Sequence, residues 1–329
     1  MKRLLLSTVA GALAFGLLLL PTQNASAEVL KLRISGENPA TGYDLVMAQK
    51  FADLMKEALG ADFEYELFHT QALGDEVVHM QQIRTGQIDV YPMGSDAVDL
   101  DNGWAVFDMP FLFANRDSVA KLLDGEVGEE LRKSMRAKAG LEVLAFGELG
   151  FRQITNNIRP VVKPEDLNGI RLRTPGSETR ILAFQMLGAD PQEMNLGEVY
   201  LALQQGTLDG QENPLTTIKT RSFFEVNKYL SLSSHVYTPV TLVMNGAKYD
   251  SLTPELQALV KEKALEAAKH TRQLGTQADA TLVDELKQHM EINEIDHAAF
   301  AEKAKPIWEK IGEIAGPELT ARVIAAAAQ

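Results

Sequence analysis

Two hydrophobic periods take turns along this chain. Val29 to Ile34 alternates with period two, the pattern of a half-buried strand, and runs into a Gly/Asn/Pro loop from Gly36 to Thr41. Residues 43–59 then place Leu45, Ala48, Phe51, Met55 and Leu59 at helical spacing, with Gly60 where a C-terminal cap belongs. Phe63 to Phe68 predicts the next strand, with Phe63, Tyr65 and Leu67 on one face. A helix over Asp75 to Arg84 and a strand over Ile88 to Tyr91 follow. Short β-rich runs alternating with helical ones predict an α/β architecture with mainly parallel strands.

The same rhythm returns from about Phe151. Asn168-Gly169 makes a turn, Ile170 to Arg173 a strand, and Pro175-Gly176 a break before a helix over Glu178 to Leu187. In EVYLALQQGTLDGQENPL, residues 198–215, a short helix carries its apolar weight on Val199, Leu201 and Leu203 and stops at Gly206. Tyr229 to Met244, interrupted by Pro239, reads as one strand crossing back between two halves. Thr253 caps a helix with Pro254 at its first position, residues 254–290 keep helical spacing, and Glu291 to Gln329 predicts further helix.

One junction has a sibling. QQIRTGQIDVYPMG at 81–94 and LQQGTLDGQENP at 203–214 both run helix, Gly, polar residue, aliphatic, Asp, short strand, Pro. In a doubly wound sheet the carboxyl ends of such strands line the ligand crevice. Two such junctions predict two related lobes that each offer a strand end to one cleft.

Composition narrows the class. The chain has 329 residues, 45% hydrophobic and 23% charged, enough for two substantial cores. Met1-Lys2-Arg3, an apolar run from Leu4 to Leu20 and Ala25-Ser26-Ala27 read as a cleavable signal peptide over residues 1–27, with cleavage after Ala27 and export to the periplasm. No comparable apolar stretch follows, so no direct membrane insertion is expected after cleavage. There is no cysteine, which excludes disulfides, thiolate nucleophiles and cysteine–zinc sites. The formal charge of -13, or -15 without Lys2 and Arg3, argues against nucleic acid as a partner.

Enzyme signatures are absent: no Gly-x-Ser-x-Gly elbow, no His-Glu-x-x-His helix and no P-loop. The six histidines lack metal-ligand spacing, His79 reads as a helix-face residue, and no cofactor or metal is called for. Asp209 reads as a turn former rather than half of an acid–base pair with Glu212. Arg173 and Arg152 differ. Arg173 ends the strand Gly169 to Arg173 just before Thr174-Pro175, and Arg152 sits in FRQITNN after Gly147 and Gly150. An arginine at a strand end offers a planar fork matched to a carboxylate. Arg33 and Arg171 read instead as surface arginines paired with neighbouring acids.

EVYLALQQGTLDGQENPL, GIRLRTPGSE and FRQITNN, with QALGDE at 71–76, VFDMPFLF at 106–113 and NGAKYDSLTPELQ at 245–257, resemble the DctP-type solute-binding component (P subunit) of tripartite ATP-independent periplasmic (TRAP) transporters. The resemblance spans nearly the whole chain after the signal. It implies a two-lobe, type II-like periplasmic binding protein whose cleft hinges shut on a small organic acid, with a long helix spanning both lobes. The implied lobes are 28–150 plus about 239–278, and 151–238 plus about 279–329. The implied partners are a small organic acid, a C4-dicarboxylate or a sugar or hydroxy acid, and integral-membrane permease subunits driven by a sodium gradient. The family's carboxylate-clamping arginine falls on Arg173, its second on Arg152 and its contacting asparagine on Asn213. First-lobe contacts fall on the Ser35-to-Asn38 loop with Glu37, on Glu76 and on Ser95 of the Gly94-Ser95 turn, and Tyr237 completes the candidate set. Leu196 stands where an aromatic is common, and Glu37 where the sialic-acid binders carry a neutral amide. The alternatives are a periplasmic ligand-sensing subunit and an enzyme, a lyase or isomerase, acting on a carboxylic acid.

Overall fold

A computed structural model describes residues 29–327; the predicted signal peptide and its cleavage point lie outside them. The elements in chain order are β1 (Leu30–Ser35), α1 (Tyr43–Leu59), β2 (Phe63–Phe68), α2 (Glu76–Thr85), β3 (Val90–Met93), α3 (Ala97–Leu100), α4 (Arg116–Asp124), α5 (Glu126–Ala139), β4 (Leu141–Asn156), β5 (Arg171–Thr174), α6 (Glu178–Leu187), β6 (Asp190–Glu193), α7 (Val199–Gln204), β7 (Gly210–Pro214) and α8 (Leu215–Thr220). They continue as β8 (Tyr229–Leu232), β9 (Tyr237–Asn245), α9 (Gly246–Asp250), α10 (Pro254–Leu286), β10 (Glu291–Glu294), α11 (His297–Ala315) and α12 (Pro317–Ala327).

The sheet runs β2-β1-β3-β9-β4-β7-β5-β6, with β8 also on β4 and β10 on β8. From the centre outward both halves have the same plan. A long strand (β9 or β4) flanks a junction strand (β3 or β7), then a first strand (β1 or β5), then an edge (β2 or β6). The outer pairs are parallel, as expected, but β3–β9, β4–β7, β4–β8 and β4–β9 are antiparallel. The mixture arises because β4 passes from one half to the other, pairing with β9 over Leu141 to Phe151 and with β7 from Arg152.

Three local expectations need correction. Tyr229 to Met244 is two strands, and the break falls at residues 233–236 instead of at Pro239, which lies inside β9. Pro239 is tolerated because β4 bulges between Glu148 and Gly150, opposite the missing donor. In α7 the buried residues are Val199, Ala202 and Leu203 while Leu201 is exposed, since a helical face repeats at three and four residues, not at two. Finally, Glu291–Glu294 is a strand instead of helix, parallel to β8; its EINE sequence has too little alternation to announce it.

Helix α10, 33 residues and ~50 Å long, spans both halves. Val260, Ala264, Ala267 and Ala268 pack in a core with α1, β1 and β9. Leu282 and Leu286 join another with α7, α8 and β8. Among the described residues no helix is long and apolar enough to cross a membrane.

Candidate functional site

The two sibling junctions are held by the same bonds. Asp89 accepts the Arg33 amide at 2.7 Å while its own N–H bonds the Arg33 carbonyl at 2.8 Å. Asp209 accepts the Arg171 amide at 2.9 Å and returns its N–H to the Arg171 carbonyl at 2.9 Å. Each aspartate thus locks a junction strand to the first strand of its half. Gly206 takes a φ of 71°, as a tight turn needs. Gly210 serves close approach: a Cβ there would sit 2.3 Å from the Thr155 carbonyl oxygen, so only glycine lets β7 press onto β4.

Strand ends from both halves converge on one cavity. Its walls include Glu37, Asn38, Asp44, Glu76, Tyr91 and Ser95–Asp96 on one side, and Arg152, Arg173, Leu196 and Asn213 on the other.

Behind the second wall lies a buried ion cluster. Arg152 donates from Nη2 to Glu212 Oε1 and to Asn213 Oδ1, both at 2.9 Å. Arg180 donates from Nη1 to both Glu212 oxygens at 3.1 Å and from Nε to Asp108 Oδ1 at 2.9 Å. His235 Nε2 stands 3.0 Å from Glu212 Oε2. Burial opposes the Glu212 charge, but Arg152, Arg180 and His235 outweigh it and hold this carboxyl well below its usual range. Burial pushes His235 down, favouring the neutral ring. Two guanidiniums and two carboxylates therefore cancel.

Arg173 is the surplus charge. It is 2% exposed, and its Nε donates to the Met194 carbonyl at 2.7 Å. Among the described residues neither Nη has a hydrogen-bond partner and no carboxylate pairs with this side chain. Burial depresses its pKa, with Glu76 pulling the other way. A desolvated guanidinium with a free fork at a cavity can grip a planar oxyanion.

The opposite wall is acidic. Tyr91 Oη lies 2.7 Å from Asp96 Oδ2 and 3.0 Å from Glu37 Oε1. Burial, then Glu76 nearby, pushes Asp96 up to about 7, and burial alone pushes Asp44 up to about 6. Glu37 is raised well above the ordinary carboxyl value by burial and by Glu76 and Asp96. Such a wall accepts hydroxyl donors and repels a second anion.

The model of the bacterial extracellular solute-binding protein family 7, DctP, matches residues 35–314. This chain belongs to the DctP family. It is 36% identical over 297 residues to the 2,3-diketo-L-gulonate-binding periplasmic protein YiaO of Escherichia coli (strain K12), covering 89% of this chain and 88% of that one. Its fold matches the sugar acid-binding protein of Advenella mimigardefordensis in complex with galactonate at a TM-score of 0.87 and 30% identity, over 91% of this chain and 98% of the other. It matches a TRAP periplasmic solute-binding protein of Sulfurospirillum deleyianum with bound succinate at 0.84 and 26%, over 90% and 98%. This DctP-family chain is thus a TRAP solute-binding subunit of two-lobe α/β fold, a transport protein and not an enzyme.

Of the candidate residues, Arg173, Arg152, Asn213, Glu37, Glu76, Ser95 and Leu196 all line the cavity of this DctP-family protein. Tyr237 does not. On β9 its ring packs edge-on to Phe151 at 5.2 Å and its hydroxyl donates to Glu148 Oε2 at 3.3 Å, on the side of the sheet that carries Arg116. The sequence reading also missed Arg180, Asp108, His235 and Asp96. Arg180 left a signal: with Ala183, Phe184 and Leu187 it falls on one apolar helix face, where a lone charge needs a buried partner.

Proposed function

We propose that this protein captures a polyhydroxylated monocarboxylic acid in the periplasm, closes on it by a hinge, and delivers it to integral-membrane TRAP permease subunits driven by a sodium gradient. The observation that carries the reading is Arg173, the one buried cavity arginine among the described residues without a carboxylate partner. In the proposal its fork takes the ligand carboxylate, Asn213 adds a donor through the Nδ2 hydrogen that does not go to Gln211, and Leu196 packs on the carbon chain. Arg152 supports from behind, already committed to Glu212. Glu76, Asp96 and Asp44 accept the ligand hydroxyls.

The acid wall favours a sugar or hydroxy acid over a C4-dicarboxylate, whose second carboxylate would meet like charge. The diketogulonate- and galactonate-binding relatives support the same class, while the succinate-bound one keeps diacids in the test. One charged bidentate contact contributes roughly 1.5–3 kcal/mol. Micromolar affinity needs about -8 kcal/mol. Closure therefore supplies the rest by desolvation and hydroxyl contacts. Bonds already cross the cleft mouth: Gln71 Nε2 donates to Asn195 Oδ1 at 2.8 Å, and Arg221 Nη2 donates to the Glu37 carbonyl at 2.7 Å.

The proposal takes the lobes as 28–150 plus about 239–278 and 151–238 plus about 279–329, and the mature chain as starting at Glu28. A thermal-shift screen of sugar acids, hydroxy acids and C4-dicarboxylates tests it, since a ligand bound only by the folded state raises the melting temperature by mass action. Sugar acids should stabilise wild type and fail with Arg173→Ala. Stabilisation by C4-dicarboxylates alone, or by no acid, refutes the reading.

A further inference from the structure

The acidic wall presents a proton-counting problem. The Tyr91 oxygen stands between two carboxyls, 2.7 Å from Asp96 Oδ2 and 3.0 Å from Glu37 Oε1. A phenol has one hydrogen and can donate to only one of them. If both carboxyls were ionised, one contact would set oxygen lone pairs against a carboxylate in a buried site.

We propose that Glu37 and Asp96 share one proton through the Tyr91 hydroxyl, so that the acidic wall enters binding with one negative charge fewer than its carboxyls count. Tyr91 donates along the shorter contact to Asp96, whose other oxygen accepts the Gly94 N–H at 2.8 Å. Glu37 carries the proton and donates it to the phenol oxygen.

Among the described residues no cation makes a hydrogen bond to the Glu37 or Asp96 carboxyl, Arg173 included. Around the trio stand Asp44 from α1, Glu76 and His79 from α2, Arg152 from β4, Arg173 from β5 and Arg221 after α8. Asp44 and Glu76 are acids, and Asp44 Oδ1 is buried without a partner. His79 stacks on Tyr91 at a centroid distance of 5.2 Å and bonds Ser35 through Nε2. Burial holds it neutral, its pKa pushed down to about 4. Arg221 donates from Nη2 to the Glu37 carbonyl and from Nε to Asn38 Oδ1, and makes no hydrogen bond to the Glu37 carboxyl. Arg152 is bound to Glu212. Burial and the neighbouring acids raise Glu37, Asp96 and Tyr91 together, in keeping with a proton retained at neutral pH. The consequence for the ligand rests on the acid-binding reading above: a cavity that must admit an anion keeps one wall carboxyl neutral.

Infrared spectroscopy of the ligand-free full chain tests this without any ligand, so its outcome is separate from that of the acid screen. Wild type should show a protonated-carboxyl carbonyl band at neutral pH that vanishes on alkalinisation. Glu37→Gln should abolish its Glu37 component. Asp96→Asn should abolish the same component, because the amide donates to the phenol and frees Tyr91 to donate to an ionised Glu37. The double variant should lose no more than either single one. Absence of the band from wild type, or an undiminished band in Glu37→Gln, overturns the proposal. Persistence of the Glu37 component in Asp96→Asn also overturns it, since the proton is then held by Glu37 alone. Carbon-13 labelling of the glutamate carboxyls in wild type makes the assignment independent of whether a variant folds: the band must shift with labelled glutamate.

Discussion

The two walls of the cleft grow from the same scaffold and carry opposite charge. In each half a helix ends in a glycine turn, an aspartate locks the next strand to the first strand of that half, and the strand end points at the cavity. Beyond that point they diverge. The first half presents Glu37, Glu76, Tyr91 and Asp96, and the second presents Arg152, Arg173 and Asn213. The backbone of the junction decides where a side chain arrives, and the residues after it decide what it does there. The walls also differ in how charge is settled. The basic wall is backed by a closed cluster in which Glu212 and Asp108 neutralise Arg152 and Arg180, leaving Arg173 over. The acidic wall has no such backing and keeps its carboxyls by raising their pKa values.

The largest effect should come from opening the closed cluster. Glu212→Ala strands the buried Arg152 guanidinium, takes one of the two carboxylates held by Arg180, and should lower unfolding free energy by about 3–5 kcal/mol in denaturant titrations. A loss below about 1 kcal/mol, the range of exposed pairs, would mean that the cluster is not buried as described. Arg173→Ala should weaken acid binding by about 2–5 kcal/mol in calorimetry. Arg173→Met should nevertheless raise the melting temperature of the ligand-free protein, because it removes an unpaired buried charge. A fall in that temperature would place Arg173 with the structural cluster.

The acidic wall makes a pH prediction of fixed sign. Asp44 and Asp96 lie at about 6 and about 7 in the fold, above the ordinary aspartate value. The folded state therefore binds more protons than the unfolded one, and stability is lost as pH rises through that range. His79 and His235, both pushed down, act oppositely and cost stability as pH falls below the ordinary histidine value. Melting temperature should peak in mildly acidic buffer, and Asp96→Asn should flatten the alkaline side alone. The smallest effect probes the shared scaffold: Asp89→Asn and Asp209→Asn should each lower stability by about 1 kcal/mol. Markedly unequal losses in denaturant melts would break the symmetry of the two junctions.

Much of this was legible in the linear chain because it is local. Helix α1, strand β2 and helix α6 follow their hydrophobic periods and caps to the residue, since spacing, glycine stops and Ser177 act within one or two turns. The paired junctions were visible as repeated text, and seven of the eight candidate residues line one cavity because strand ends converge in such a sheet. Tyr237 lies outside that cavity, on a strand whose start at residue 237 no local signal announces.

The sequence alone determined the segments, their order and the places where fork-shaped cations and carboxyls sit at strand ends. Only the tertiary structure decided which of those charges are spent. Glu212 lies 60 residues from Arg152 and 32 from Arg180, and Asp108 lies 72 from Arg180. An ion pair depends on distance through space and on the exclusion of water, and neither is written in the spacing of residues along a chain.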